Sequence, residues 1–305
     1  METYGIGEII REERMRKNLS QEELSEGICA TPTLSRIENG TQKPSLKIEE
    51  ALLERLGHNT ENMVIYADAR EVEKHRLESE IRARIMHHER MDDLLARYTE
   101  LLTPRGAEMT LEKQFVQMSA AIQALYTQEW SLEKLKDKFI KAIRLTIPDY
   151  EEDAFTARRM YTNTEIQLLN NLGIVYAKSQ QTSRAVRLLR FLVEYIENKE
   201  MDVETKNKTY PMLVYNLVML LEKTDSMQEI LEYAEKGIAY CIKYNRLNCL
   251  PDLVYYSGLA YLNLNKKEEA IRRYRQAISL LELTGREESA EYLRKELEFS
   301  SNAME

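Results

Sequence analysis

Thr31, Pro32, Thr33, Ser35 and Arg36 fall within six consecutive positions; wound on a helix, they turn hydroxyls and a guanidinium away from Leu34 and Ile37. Small polar groups and one arginine on an outward face suit base edges and phosphates in a DNA major groove. Gln21, near the start of the preceding helical pattern, suits a phosphate-positioning contact, and Lys43 adds a cation in the loop that follows. A second group is chemically different: Gln167, Asn170, Asn171 and Lys178, then Met212, Tyr215, Asn216 and Met219, then Tyr255. An asparagine amide both donates and accepts, so it can pair with both groups of an extended peptide backbone whatever the peptide's sequence. Met and Tyr around it supply adaptable apolar pockets. That combination suits a short peptide ligand.

The first group needs two short helices and a tight turn, and Leu19–Gly40 supplies the signals for them. Ser20 is followed three residues later by Glu23, a capping-box pair. Leu24 and Ile28 lie one turn apart on one stripe, and the helix should end near Gly27. After a turn at Ile28–Ala30, Thr31 is expected to cap a second helix whose first residue is Pro32, and Gly40 should stop it. Ile6–Asn18 reads as a helix before them, with Ile6, Ile9, Ile10 and Arg14 at helical spacing. Ser45–Leu56 reads as one after them, capped by Ser45, with Ile48, Leu52, Leu53 and Leu56 closing a small core. The strings SQEEL and SRIENG, followed by Pro44-Ser45, resemble the lambda-repressor-like helix-turn-helix proteins of the Xre family over about residues 6–57. The usual family turn is one residue longer. The shorter Gly27-Ile28-Cys29-Ala30 segment resembles the Rgg and PlcR regulators of the RRNPP peptide-pheromone group.

Beyond Gly57-His58-Asn59-Thr60 the pattern changes. Glu61 to His88 is dense in charge and free of breakers, which predicts a linker helix. A degenerate repeat then emerges by spacing. Its clearest copy is Leu172-Gly173, Tyr176, Ala185, Leu189 and Leu192. The offsets recur at Leu217-Val218, Leu221, Ile230, Ala234, Gly237 and at Ser257-Gly258, Tyr261, Ala270, Tyr274, Ala277. Weaker copies are Ile122-Gln123, Tyr126, Leu135, Phe139, Ala142 and Ile81-Arg82, Ile85, Leu94, Tyr98, Leu101. Small residues beside apolar ones let paired helices pack closely, and the pattern resembles tetratricopeptide repeats with longer helices or loops. Glu287–Phe299 is expected to be the capping helix of the array. In such arrays the first helix of each pair lines the concave wall, which would place Gln167, Asn170, Asn171, Ile174 and Lys178 on one face. Met212, Tyr215, Asn216, Met219 and Glu222 would form the next, and Asp252, Tyr255, Tyr256, Leu259 and Asn263 the third. The RRNPP resemblance implies that asparagines on these inner helices hold a signalling peptide, with Asn171 and Asn216 at the matching places.

Each candidate has a plainer reading beside it. The asparagines can bond between neighbouring helices, and Arg36 can pair with Glu38 or Glu22. Trp130 suits a core or loop anchor, His87-His88 a solvated surface, and Cys29 a small core position. Composition limits the rest. With 10 Gly and 6 Pro in 305 residues and 43% apolar residues, the chain should be almost wholly helical and well able to bury a core. Three cysteines without C-x-x-C spacing fit a reduced cytoplasm and imply no structural metal. No apolar signal core or membrane span is expected, because the most apolar run, Met212–Leu221, is short and broken by Asn216. Glycine-rich phosphate loops, nucleophile elbows and zinc-ligand spacings are missing, so no catalytic residue, metal or cofactor is assigned.

Residues 1–57 carry eight Lys and Arg against eleven Asp and Glu, a net −3 within a chain total of −8. DNA affinity must therefore come from local cations, namely Arg14, Arg16 and Lys17, Arg36, and Lys43, and dimeric binding is expected. The sequence thus predicts an all-α cytoplasmic regulator with an N-terminal lambda-repressor-like helix-turn-helix domain at 1–57, a linker helix region at 58–76, and a tetratricopeptide-like α-superhelix at 77–305. Its expected partners are double-stranded DNA, a short signalling peptide and a second copy of itself. The alternative of a different class is an adaptor whose array holds a partner protein while the helix-turn-helix localises it to DNA.

Overall fold

The computed structural model describes residues 5–58, 69–103, 106–199, 201, 203–224 and 226–302, and every regular element among them is helical. The head contains α1 (Ile6–Arg16), α2 (Gln21–Ser25), α3 (Thr31–Glu38) and α4 (Leu46–Arg55). Ser20 and Glu23 form the expected reciprocal capping box, and Ser45 caps α4 through the Ile48 amide. Ile10, Leu24, Ile28, Leu34, Ile37, Leu52, Leu53 and Leu56 close the core, with Leu111 from outside the head among them. Ile9, one of the residues at helical spacing, is 39% exposed, because α1 turns the neighbouring Ile10 to the core. Thr31 is not the cap of α3. The extended residue before the helix is Ala30, which places Thr31 and Pro32 at its first two positions, and the Thr31 hydroxyl lies 3.2 Å from that of Ser25.

The chain divides into two compact units. The first joins the head to α5 (Ala69–His87), α6 (Asp92–Glu100), α7 (Ala107–Tyr126), α8 (Leu132–Arg144) and α9 (Asn163–Lys178). The expected linker helix is seen from Ala69 onward; residues 59–68 lie outside the described residues. Consecutive helices pack on one another from α5 to α9, and α4 also touches α7. The repeat stripe accounts for this packing, since Ile81, Leu94, Tyr98, Leu135, Phe139 and Ala142 are all buried.

The second unit contains α10 (Thr182–Asn198), α11 (Val203–Leu221), α12 (Met227–Lys243), α13 (Leu250–Asn263), α14 (Lys267–Leu283) and α15 (Glu287–Asn302). Each packs on the next, and α11 also touches α13. Gly258 shows why the repeat wants a small residue: a Cβ there would stand 3.0 Å from the Tyr274 ring, so a larger side chain would push α13 and α14 apart. The helix α15 occupies the place expected of the capping helix.

Candidate DNA-reading face and ligand walls

On α3, Pro32 and Arg36 are exposed, while Thr31, Thr33 and Ser35 are half-buried. The Arg36 guanidinium donates to the Pro32 carbonyl at 3.2 Å and to Gln42 Oε1 at 3.4 Å. It pairs with neither Glu38 nor Glu22, and Glu38 is already engaged: Arg14 donates to both its carboxylate oxygens, and Gln21 Nε2 donates to Oε2 at 2.7 Å. This corrects one sequence expectation. Arg14 is a structural side chain that ties α1 to the end of α3 and also bonds the Leu19 carbonyl, so it is not a cation held out for phosphate. Gln21 gives one of its two amide N–H groups to Glu38. Arg16 pairs with Glu13. Lys43 is exposed beyond α3. Cys29 packs against the head core, and burial pushes its thiol up to about 11, which suits an inert small side chain rather than a redox sensor.

The turn between α2 and α3 is held from behind by the rest of the first unit. Gly27 has φ +71°, and a Cβ on it would lie 2.0 Å from the Thr146 carbonyl oxygen, so both the left-handed backbone and the contact require glycine. Arg55, only 2% exposed, donates to the carbonyls of Leu24 and Glu26, and its Nη2 lies 3.7 Å from Glu165 Oε1. Glu165 is fully buried; it accepts the Thr146 hydroxyl at 2.7 Å and, through Oε2, the Thr162 amide at 2.8 Å, completing the capping box of α9. Glu26 Oε1 meets Arg159 at 2.5 Å. A second polar cluster joins α4 to the following helices. Lys47 donates to both oxygens of Glu78 at 2.6 and 2.7 Å, Tyr98 donates to the same carboxylate, and His75 lies 3.4 Å from Glu50. Desolvation opposes the charge on Glu78, but Lys47 and Arg82 outweigh it and hold the carboxyl below its usual range.

These junctions were not found from sequence. The one hint was that the cations Lys47 and Arg55 share α4 with the apolar residues that close the head core.

In the first unit α9 presents Gln167, Asn171 and Ile174 as a half-buried face, with Lys178 exposed at its end. Asn171 Nδ2 donates to the Gln167 carbonyl at 2.8 Å, one turn back in the same helix. Asn170, expected on this face, is only 2% exposed and belongs to the packed side, because adjacent helical residues point about 100° apart. In the second unit Met212, Tyr215 and Met219 of α11 and Asp252, Tyr255 and Leu259 of α13 are the half-buried positions, spaced i, i+3, i+7 on touching helices. Tyr215 lies 6.2 Å from Tyr256, and Tyr255 lies 5.2 Å from Tyr256 and 5.9 Å from Tyr274. Arg286 holds Asp252 with two bonds of 2.7 and 2.9 Å. Asn216, also expected on this wall, is buried at 7% exposure, and so is Tyr256 at 8%.

A helix-turn-helix head followed by packed helical pairs of tetratricopeptide type defines a class of repeat proteins with a DNA-binding fold at one end. The helix-turn-helix profile matches residues 10–59, and the profile of the RNPP family C-terminal domain matches residues 84–295. The chain belongs to the RNPP family. Among solved structures, Bacillus thuringiensis PlcR in complex with the peptide PapR7 and DNA is similar at 18% identity and a TM-score of 0.60, over 95% of this chain and 99% of that one. The apo form of the competence regulator ComR from Streptococcus vestibularis is similar at 15% identity and 0.54, over 96% of each chain. Both likenesses concern the fold. A comparison with curated proteins gives no match. No described helix is long and apolar enough to cross a membrane.

Proposed function

We propose that the protein is a cytoplasmic DNA-binding transcription regulator, acting as a homodimer and controlled by a short peptide. The observation that carries the reading is the state of α3: its outward face offers Thr33, Ser35 and an Arg36 guanidinium that no carboxylate among the described residues neutralises. Thr31, Pro32 and Lys43 extend that face, and Gln21, held by Glu38, orients the start of α2 beside it. In the second unit Met212, Tyr215, Met219 and Tyr255 on α11 and α13 offer half-buried Met and Tyr that suit the apolar side chains of a peptide; in the first unit Gln167, Asn171 and Lys178 on α9 offer amides and a cation that suit a peptide backbone. The family and the likeness to PlcR, a protein solved with both a peptide and DNA, support this reading over a protein-holding adaptor.

Selection from a random duplex pool tests it. The expected product is a two-fold-related site with half-sites one or more helical turns apart. Enrichment of no site, or of a single unpaired half-site, counts against the dimeric reader.

A further inference from the structure

The first turn of α9 and the turn before the reading helix are built from shared parts. Arg55 reaches from α4 to the carbonyls of Leu24 and Glu26 on one side and to Glu165 on the other. Thr146 touches Gly27 through its carbonyl and Glu165 through its hydroxyl. Arg159, in the loop before α9, reaches Glu26. Two residues past Glu165 begins the face that carries Gln167 and Asn171.

We infer that Arg55 and Glu165 are positioning residues that set the pitch of α3 from the position of α9, so that a ligand on α9 is read by the DNA-contacting helix. The inference rests on the assignment of α9 as a ligand-bearing helix and adds the route by which it acts. Three features of the contact fit it for this role. Both charges are buried, so parting them would leave each without its counter-charge and away from water. The Gly27–Thr146 approach leaves no space for a compressible side chain between the two segments. A helix moves largely as a rigid rod, so a displacement along α9 arrives undiminished at its first turn.

A purely structural staple would have the same geometry, and the variant Glu165→Gln separates the two. Glutamine keeps the capping-box bond, its amide oxygen accepting from the Thr162 N–H, and can turn its NH2 to donate to the Thr146 hydroxyl oxygen, but it carries no charge toward Arg55. Amide hydrogen exchange is read on the full chain with and without a random-sequence duplex at low salt, where non-specific binding is strong. By reciprocity of coupled sites, duplex should slow exchange across 31–38 and also across 166–172, the latter by about fivefold or more in the native protein. In Glu165→Gln, at a temperature where the variant is still folded, the first effect should persist and the second vanish. Native protection confined to 31–38, or protection of 166–172 that survives in the variant, overturns the inference. A DNA-free arm keeps it separate from the proposed function: Glu165→Gln should speed exchange across 24–30 by about tenfold. Unchanged exchange there refutes the route whether or not duplex binds, whereas lack of protection over 31–38 refutes the DNA-reading assignment.

Discussion

Arg14 and Glu38 face each other as a fork on a carboxylate: Nε lies 2.6 Å from Oε1 and Nη2 2.9 Å from Oε2, linking the end of α1 to the end of α3. Glu38 is 4% exposed, so removal of the guanidinium leaves a buried charge with only the Gln21 amide. Arg14→Ala should therefore cost about 3 kcal/mol of stability in chemical denaturation. DNA affinity, measured where the variant is still folded, should change little; a large loss with unchanged stability would restore Arg14 to the DNA-contacting set.

Arg36 should behave in the opposite way. Its own bonds are to one carbonyl and one amide oxygen, so Arg36→Ala should leave the melting temperature unchanged. If it contacts a base edge, specific binding should weaken by about 1–3 kcal/mol, as read by titration against selected and scrambled duplexes. Equal weakening toward both would mean that it contacts phosphate instead.

The asparagines divide by burial. Asn216→Ala and Asn170→Ala empty packed positions and should lower stability by about 1–3 kcal/mol. Asn171→Ala removes an amide at a half-buried position whose hydrogen bond stays within its own helix. It should spare the melting temperature and weaken a bound peptide about 5- to 150-fold in calorimetry. The reverse pattern would make Asn216 the ligand contact and Asn171 a packing residue.

His75 provides a pH test of the head junction. Its bond to Glu50 raises its pKa, against desolvation, with the charges of Glu50 and Glu78 adding to the rise and Lys47 opposing it. A raised folded value means stability that is fully present below the unfolded value of about 6.5 and is lost as pH rises through the folded one. The melting temperature of His75→Gln should therefore fall below that of the native protein under acidic conditions and converge with it as the solution becomes alkaline. A gap that widens with rising pH would contradict the Glu50 contact.

Local signals were legible in the sequence and long-range partners were not. Ser20 and Glu23, three residues apart, announced their capping box, and the small and apolar offsets announced the helical pairs. The cap of α3 was misassigned because a Thr before Pro is a common capping pattern, whereas the backbone turns extended one residue earlier, at Ala30. Arg14 pairs with a residue 24 positions away, and Arg55 bonds a carbonyl 31 positions away, separations that no periodicity encodes. The ligand walls were read at the level of helices. Which of two adjacent asparagines faces out depends on a rotation of about 100°, which packing decides.

Leu111 of α7 lies in the same buried cluster as the apolar residues of the head. The consequence concerns protein engineering. A chimera cut at Gly57 and grafted onto another array would expose one wall of its own core and carry Lys47 and Arg55 without the acids they meet here. The smallest transplantable reader is therefore the first unit as a whole, through α9.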